Sequence, residues 1–301
     1  MLSILIPIYN NKVVKLVDEL IYQCKRTKID YEIICLDDYS NQKFRTENAV
    51  VNGLMGVNYV ELSENIGRAR IRNRLAKLAR YERLLFLDSD TKLASKKFIK
   101  NYVELFNESE VVIGGTKYDR KPPKNDKKLL HWVYGSKREA IAAKKRNRNP
   151  SRHFHTNNFS TTRTISLAHP FDEKIKGYGY EDIALGERLA KAGITIKHID
   201  NPTIHRGLKA ADNFLIDQKT AAKNLARLYF EGSIKDTKLI KTYQRVKKVG
   251  LKNLMISTLE SRIERMEVQI KSHPKSLFKL DLIKLYYFDR ALNNIYSEAK
   301  E

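Results

Sequence analysis

The stretch Leu84-Leu85-Phe86-Leu87-Asp88-Ser89-Asp90-Thr91 decides the fold. Four apolar residues in an unbroken run, bounded by polar ones, fit a strand covered on both faces, as in a parallel sheet. That strand ends in two carboxylates one residue apart. In open α/β sheets, ligands bind beyond the carboxyl ends of the strands. Two acids placed there repel each other unless a cation sits between or beside them. An all-oxygen set suits a hard divalent ion such as Mg²⁺ or Mn²⁺. Taken alone, the same tripeptide also fits a solvated turn, so the surrounding chain has to choose between the two readings.

Toward the N-terminus the chain repeats one rhythm. Ser3–Ile8 is a short apolar run ending at Tyr9-Asn10-Asn11. Val13–Cys24 follows, with Val13, Leu16, Val17, Leu20 and Ile21 at helical spacing. Tyr31–Leu36 is a second apolar run, closed by Asp37-Asp38-Tyr39-Ser40. A helix is predicted over Glu47–Leu54, a third strand over Val57–Leu62 and, after Glu64-Asn65-Ile66-Gly67, a helix from Arg68 to Leu78. Strands alternating with helices predict βαβ units and a parallel sheet. Neither G-x-G-x-x-G nor a Walker A sequence occurs, so a nucleotide site has to rest on Asp37, Asp38, Asp88 and Asp90.

Toward the C-terminus, Val111–Gly115 predicts another buried strand. Lys117–Arg152 then holds 13 Lys or Arg against 3 Asp or Glu, with Pro122-Pro123 and a helix predicted over Leu129–Ala143. It reads as a long basic insertion over the strand ends or, more plainly, as a solvated charged face. Glu181 and Asp182 open a helix that stops at Gly193. Its free N–H groups and dipole favour acids in the first turn, so capping alone would explain them. Ile194–Ile199 predicts a strand. His205 beyond it is a metal ligand, a proton-transfer group or an ordinary buried histidine. From Asp212 onward the spacing is helical, and residues 213–301 carry 18 basic and 10 acidic side chains.

The 301 residues bound the chain to one large domain, or one domain with an extension, and 42% apolar content supports a sizeable core. A formal charge of +22 points to anionic partners: nucleic acid, an anionic membrane surface or phosphorylated substrates. The two cysteines, Cys24 and Cys35, indicate no disulfide framework and fit a reducing compartment. The start MLSILIPIYN lacks a basic leader, and no stretch approaches a membrane-spanning length. A cytoplasmic protein, peripheral on the inner face of the membrane, is the expectation.

The ordered set of motifs resembles the family 2 glycosyltransferases with the GT-A fold. The matching pieces are SILIPIYN, LDDYS, ENIGRARIRN, LDSD, and GYGYEDIALGERLAKAG followed by HRG, covering about residues 1–207. The resemblance implies a Rossmann-like, mostly parallel sheet flanked by helices over residues 1–212, with the basic insertion at about 117–152. A helical C-terminal extension follows over 213–301. It also implies an inverting transferase that moves a sugar from a nucleotide-sugar, with a UDP-sugar the commonest donor, using Mn²⁺ or Mg²⁺. The acceptor would be a glycan or a polyprenyl-linked glycan of a surface polymer.

Carried over residue by residue, Pro7, Tyr9 and one or both of Asp37 and Asp38 hold the base. Asn10, Asn65, Gly67, Arg72 and Ser89 complete the expected donor set. Asp88 and Asp90 form the D-x-D motif, with Asp90 on the metal and Asp88 on the ribose or a metal-bound water, and His205 completes the metal site. Glu181 and Asp182 are the catalytic pair, with Asp182 as base. Trp132, His155, Asn157 and Asn158 are expected on the acceptor side. Arg68, Arg70 and Arg72 are phosphate candidates, although alternate residues of a helix do not all face one site. The chain departs from the family at Tyr39, where glycine is commoner.

Two other classes compete. A nucleic-acid binding protein would account for the charge, but the basic residues are not interleaved with a recognisable binding motif. A catalytically inactive scaffold that binds sugar nucleotides would keep the fold, yet the carboxylate set is intact.

Overall fold

A computed structural model describes residues 1–274 and 276–299. Its strands are β1 (Leu2–Ile8), β2 (Tyr31–Asp37), β3 (Val57–Glu61), β4 (Arg83–Leu87), β5 (Thr91–Leu93), β6 (Val111–Ile113), β7 (Thr116–Lys117), β8 (Asn158–Thr162), β9 (Ile196–His198) and β10 (Thr203–His205). Seven of them form one sheet in the order β3-β2-β1-β4-β8-β6-β9, and β5-β10-β7 form a small second sheet. In the main sheet only β8 opposes its neighbours, pairing antiparallel with both β4 and β6. The others run parallel.

The first eight helices are α1 (Val14–Thr27), α2 (Gln42–Asn48), α3 (Arg68–Leu78), α4 (Phe98–Val103), α5 (Leu129–Arg138), α6 (Ala143–Arg146), α7 (Arg163–Ala168) and α8 (Glu181–Lys191). Successive residues of β4 point to opposite faces of the sheet. Leu85 and Leu87 join Ile4, Ile6, Val17 and Leu20 in a core under α1. Leu84 and Phe86 join Leu5, Ile71, Leu75 and Leu185 in a second core under α3 and α8. Both faces are covered, which is why the run at 84–87 contains no polar residue.

The rest of the chain is helical: α9 (Ala211–Phe230), α10 (Lys238–Lys248), α11 (Lys252–Glu260), α12 (Ile263–Ser272) and α13 (Phe278–Glu298). Phe214 and Leu215 of α9 and Leu280 and Ile283 of α13 share a core with Leu130 and Val133 of α5. Ala222 and Leu225 of α9 and Phe288 of α13 share another with Ile175 and Ala184. The C-terminal helices therefore pack on α5 and α8, the two helices that border the carboxyl-end rim.

Several expectations are corrected. The helix predicted over 47–54 starts earlier, at Gln42, and gives way to a 3-10 turn over Ala49–Gly53. The helix predicted over 129–143 ends at Arg138 and is followed by the separate turn α6. The basic stretch is not wholly solvated, because Arg146 is only 2% exposed. Its guanidinium donates to the carbonyls of Ile113, Ile141, Gly114 and Ile199 and meets His198 Nδ1 at 2.5 Å.

Candidate active site

Strand order reverses at β1, with β2 and β3 on one side of it and β4 on the other. This switch point leaves a crevice beyond the carboxyl ends of β1 and β4, where ligands of open α/β sheets bind. A cleft of about 620 Å³ occupies it. Pro7, Tyr9 and Asn11 line it from the turn after β1, Asp38 from the turn after β2, Asn65 and Gly67 from the turn after β3, and Asp88, Ser89 and Asp90 from the turn after β4. Asp38 accepts from the N–H groups of Ile66 (2.7 Å) and Gly67 (3.0 Å), so one carboxylate ties two of these turns together. Burial raises the Asp38 pKa, those N–H groups oppose the rise, and the charge of Asp37 adds to it.

A second cavity of about 260 Å³ adjoins it. Arg68, Arg72, Asp88, Asp90, Tyr178, Lys209 and Asp217 border both spaces and form the wall between them. The cavity also receives His155, Thr156 and Asn157 from the lead into β8, Glu181 and Asp182 from the start of α8, and His205 and Gly207 from the end of β10. Tyr118, His131, Tyr134, Arg138 and Glu139 enter from the basic stretch, and Gln218 and Lys284 from α9 and α13.

The carboxylates divide by partner. Asp88 is held by Arg72 at 2.6 Å. Glu181, 4% exposed, accepts from Gly179 N–H (3.0 Å) and from Arg68 (2.9 Å), so both of its oxygens are engaged. It is a positioning residue for the turn that precedes α8. That turn carries left-handed backbone at Gly177, Gly179 and Tyr180. A Cβ on Gly179 would press into Ala221 of α9. Asp182 accepts from Ile183 N–H through Oδ1 and places Oδ2 3.3 Å from His155 Nδ1. Burial pulls the His155 pKa down, but the hydrogen bond and charge of Asp182 outweigh it and leave the ring above its ordinary value.

Asp90 stands apart. Its Oδ1 is buried without a hydrogen-bond partner, and so is Nε2 of His205, whose Nδ1 lies 3.6 Å from that oxygen. A Cβ at Gly207 would overlap the Asp90 carboxylate, so the stretch 205–207 can wrap Asp90 only with glycine there. Among the described residues no group of three or more His, Cys, Asp and Glu is arranged to hold a metal. Two orphaned ligand atoms, one carboxylate oxygen and one imidazole nitrogen, still fit a divalent ion that takes its remaining ligands from a diphosphate and water.

The profile described as glycosyl transferase family 2 matches residues 3–169. The chain belongs to that family. Two curated relatives align over part of their length. The poly(ribitol-phosphate) beta-N-acetylglucosaminyltransferase TarP of Staphylococcus aureus N315 is 32% identical over 117 residues, 37% of this chain and 35% of TarP. A poly(ribitol-phosphate) beta-glucosyltransferase of Bacillus spizizenii is 35% identical over 129 residues, 38% of this chain and 19% of that protein. The matches thus span about a third of one relative and just under a fifth of the other.

Among solved structures, the mannosyltransferase PcManGT of Pyrobaculum calidifontis, in complex with GDP-Man and Mn²⁺, superposes with a TM-score of 0.60 at 15% identity, covering 98% of this chain and 87% of that one. TarS 1–349 of S. aureus, in complex with UDP-GlcNAc, gives 0.51 at 14% identity, covering 99% and 92%. At such identities the likeness shows the fold alone: this family 2 glycosyltransferase has the GT-A fold.

Not every expected site residue reaches the two spaces. Asp37 is fully buried, and its oxygens accept from Ser40 N–H (2.7 Å) and Tyr59 O–H (3.2 Å), so Asp38 alone of the pair faces the cleft. Asn10 spends its side chain on Asn41 N–H, and Asn11 lines the cleft instead. Asn158 is 0% exposed and bonds Tyr102 O–H and the carbonyls of Gly115 and Asn201, which makes it a structural cross-tie under the rim. Trp132 turns away and donates to Asp119 O, while its neighbours His131 and Tyr134 line the cavity. Arg68, Arg70 and Arg72 all border the larger cleft, contrary to the expectation from helix spacing, because the cleft curves around the first turns of α3.

The sequence reading missed His131, Tyr118, Tyr134, Glu139, Lys209, Gln218 and Lys284. His131 accepts Lys209 N–H at Nδ1 (3.0 Å) and stacks on Phe214, with ring centroids 4.5 Å apart. Burial, with the charges of His205 and Lys209, lowers its pKa to about 3, so it stays neutral beside His205. Lys284 had a signal: it is a lone lysine within Leu280–Phe288, an otherwise largely apolar run.

Proposed function

We propose that this chain is an inverting glycosyltransferase that moves a hexosyl or N-acetylhexosaminyl group from a nucleotide-sugar, with UDP as the favoured carrier, to a hydroxyl of a phosphate-rich surface polymer. The observation that carries the reading is the meeting of two spaces at Asp90, with its orphaned oxygen, while Asp182 stands in the smaller one. The two curated relatives are named for poly(ribitol-phosphate) acceptors, and TarS is described with UDP-GlcNAc. Both support this donor and acceptor class over a neutral glycan.

In this reading the nucleotide lies in the larger cleft along Tyr9, Asp38 and Asn65, with its diphosphate at the wall. Asp90 and His205 would hold a Mn²⁺ or Mg²⁺ ion there, as the Mn²⁺ complex of PcManGT suggests. Such an ion, when bound, offsets the charge of the departing diphosphate. Arg68 and Arg72 face the same anion from α3. Asp182 Oδ2 takes the proton of the acceptor hydroxyl as its oxygen attacks the anomeric carbon. The bond from that carbon to the diphosphate oxygen breaks on the opposite side, which inverts the centre. His155 holds Asp182 in place from 3.3 Å.

The donor half is tested by thermal shift against nucleoside diphosphates with and without Mn²⁺. Metal-dependent stabilisation by one base is expected, and no stabilisation by any of them overturns the reading. The same preparation, given the matching radiolabelled sugar nucleotide, is expected to label poly(ribitol phosphate).

We also propose docking on an anionic membrane. Among the described residues no helix is long and apolar enough to span one. The corner between α10 and α11 exposes Val249, Leu251 and Leu254 beside Lys247 and Lys248, while Lys252 turns inward to Asp289. Apolar side chains flanked by lysines suit an acidic lipid surface, where each cation adds roughly 1 kcal/mol of attraction.

A further inference from the structure

The charges around the smaller cavity do not all cancel. Arg68 is held by Glu181, Arg72 by Asp88, Arg138 by Asp281 and Lys209 by Asp217. His155 and His205 face Asp182 and Asp90. Lys284 differs from all of them. It reaches the cavity from α13, and its ammonium donates to the neutral Oε1 of Gln218 at 3.0 Å. Gln218 is itself 1% exposed. The ring of Tyr134 covers the ammonium at 5.6 Å. No carboxylate of a described residue lies within ion-pair distance of it. The two nearest in effect are engaged elsewhere: Asp281 is shared by Arg138 and Lys238, and Glu139 accepts from Tyr118. A part-buried ammonium with no counter-ion is costly to keep charged. Burial lowers the Lys284 pKa to about 8, and Asp281 and Glu139 only partly oppose this.

We propose that Lys284, seated on Gln218 and covered by Tyr134, is the anion-recognition point of the smaller cavity, and that the anion it takes is the phosphate of a polyol-phosphate acceptor. The proposal rests on the acceptor class given above and assigns the side chain that reads it. The arrangement divides the labour of the cavity. Asp182 and His155 receive the hydroxyl, Glu139 and the tyrosines Tyr118 and Tyr178 face the polyol carbons and hydroxyls, and Lys284 fixes the neighbouring phosphate. A charge-assisted bond from an ammonium to phosphate supplies the counter-ion that the free enzyme lacks. A neutral sugar acceptor would leave that ammonium uncompensated, so the cavity selects against it.

The test uses the full chain and the variants Lys284→Met and Lys284→Gln, with unfolding midpoints measured first to show that they fold. The first measurement is titration with inorganic phosphate at pH 7, which needs no turnover. Wild type is expected to bind, and both variants are expected to weaken binding by about 10-fold or more. The second is transfer to a ribitol-phosphate oligomer and to the dephosphorylated polyol. KM for the phosphorylated acceptor is expected to rise about 10-fold or more in both variants, with kcat and the nucleoside-diphosphate thermal shift unchanged.

Equal phosphate binding by variant and wild type overturns the proposal. So does a lost nucleoside-diphosphate shift, which would give Lys284 to the donor instead. Wild type that binds phosphate at Lys284 but transfers sugar to no polyol phosphate would overturn the acceptor class while leaving the anion site standing.

Discussion

Asp182 and His155 touch each other and little else that is charged, so their roles separate cleanly on substitution. Asp182→Asn is expected to lower kcat by roughly 10²–10⁴-fold, with the nucleoside-diphosphate thermal shift retained. Wild-type turnover in that variant would remove Asp182 as the base. His155 carries a pH signature. Its folded pKa lies above the ordinary 6.5 because Asp182 outweighs burial. A group raised in this way stabilises the fold fully below its unfolded pKa and loses that contribution as pH rises through the folded value. The difference in Tm between wild type and His155→Gln is therefore expected to be widest near about pH 5.5 and to shrink toward about pH 8.5. A difference that grows with pH contradicts the pairing. At this scale the sequence was legible where chemistry and chain position coincide. Asp90 and Asp182 could be placed at the rim because a strand end and a helix start mark them. Asp37 and Asn158 could not be told from ligand-binding residues, because a buried polar side chain that bonds its own backbone has the same letter as one that bonds a ligand.

The elements that carry the site are held by contacts distant in sequence. Arg146 joins α6 to the carbonyls after β6 and β9. Removing its guanidinium takes from Ile199 O its side-chain donor and from the carbonyls of Ile113 and Gly114 the second of their two hydrogen bonds, and leaves the space it filled. Arg146→Met is expected to cost about 3 kcal/mol or more, read as a lower urea midpoint, and an unchanged midpoint would show that water replaces the arginine. Gly207→Ala at the end of β10 is expected to abolish Mn²⁺-dependent stabilisation by nucleoside diphosphates, since a methyl there collides with Asp90. Retained stabilisation would place the ion elsewhere. The strands β1, β2 and β4 were legible because each is a local apolar run with a polar stop. The strands β8 and β10 were not. Asn158-Phe-Ser-Thr-Thr162 and Thr203-Ile-His205 hold too few apolar residues to signal a strand, and only pairing with β4, β6 and β5 makes them strands. The same limit hid His131, which matters only because the chain returns at Lys209 to meet it.

Across the whole molecule, the excess of positive charge has several destinations. Part is internal, as at Arg146, part faces the proposed anions, and part surrounds the exposed apolar corner between α10 and α11. Flotation with phosphatidylglycerol vesicles is expected to carry wild type upward at low salt and less so at high salt. Leu251→Glu with Leu254→Glu is expected to leave the protein at the bottom of the gradient. If the double variant still floats, the lysines alone suffice and the apolar corner plays no part.

One architectural detail reaches further. Strands that run with the majority offer only their exits to the rim, whereas β8 offers its entrance, so the 40 or so residues leading into it feed the smaller cavity, the proposed acceptor side, without passing through the larger cleft proposed for the nucleotide. Lineages could exchange that lead-in wholesale and acquire a new polymer to decorate, while the inherited grip on the activated sugar stayed as it was.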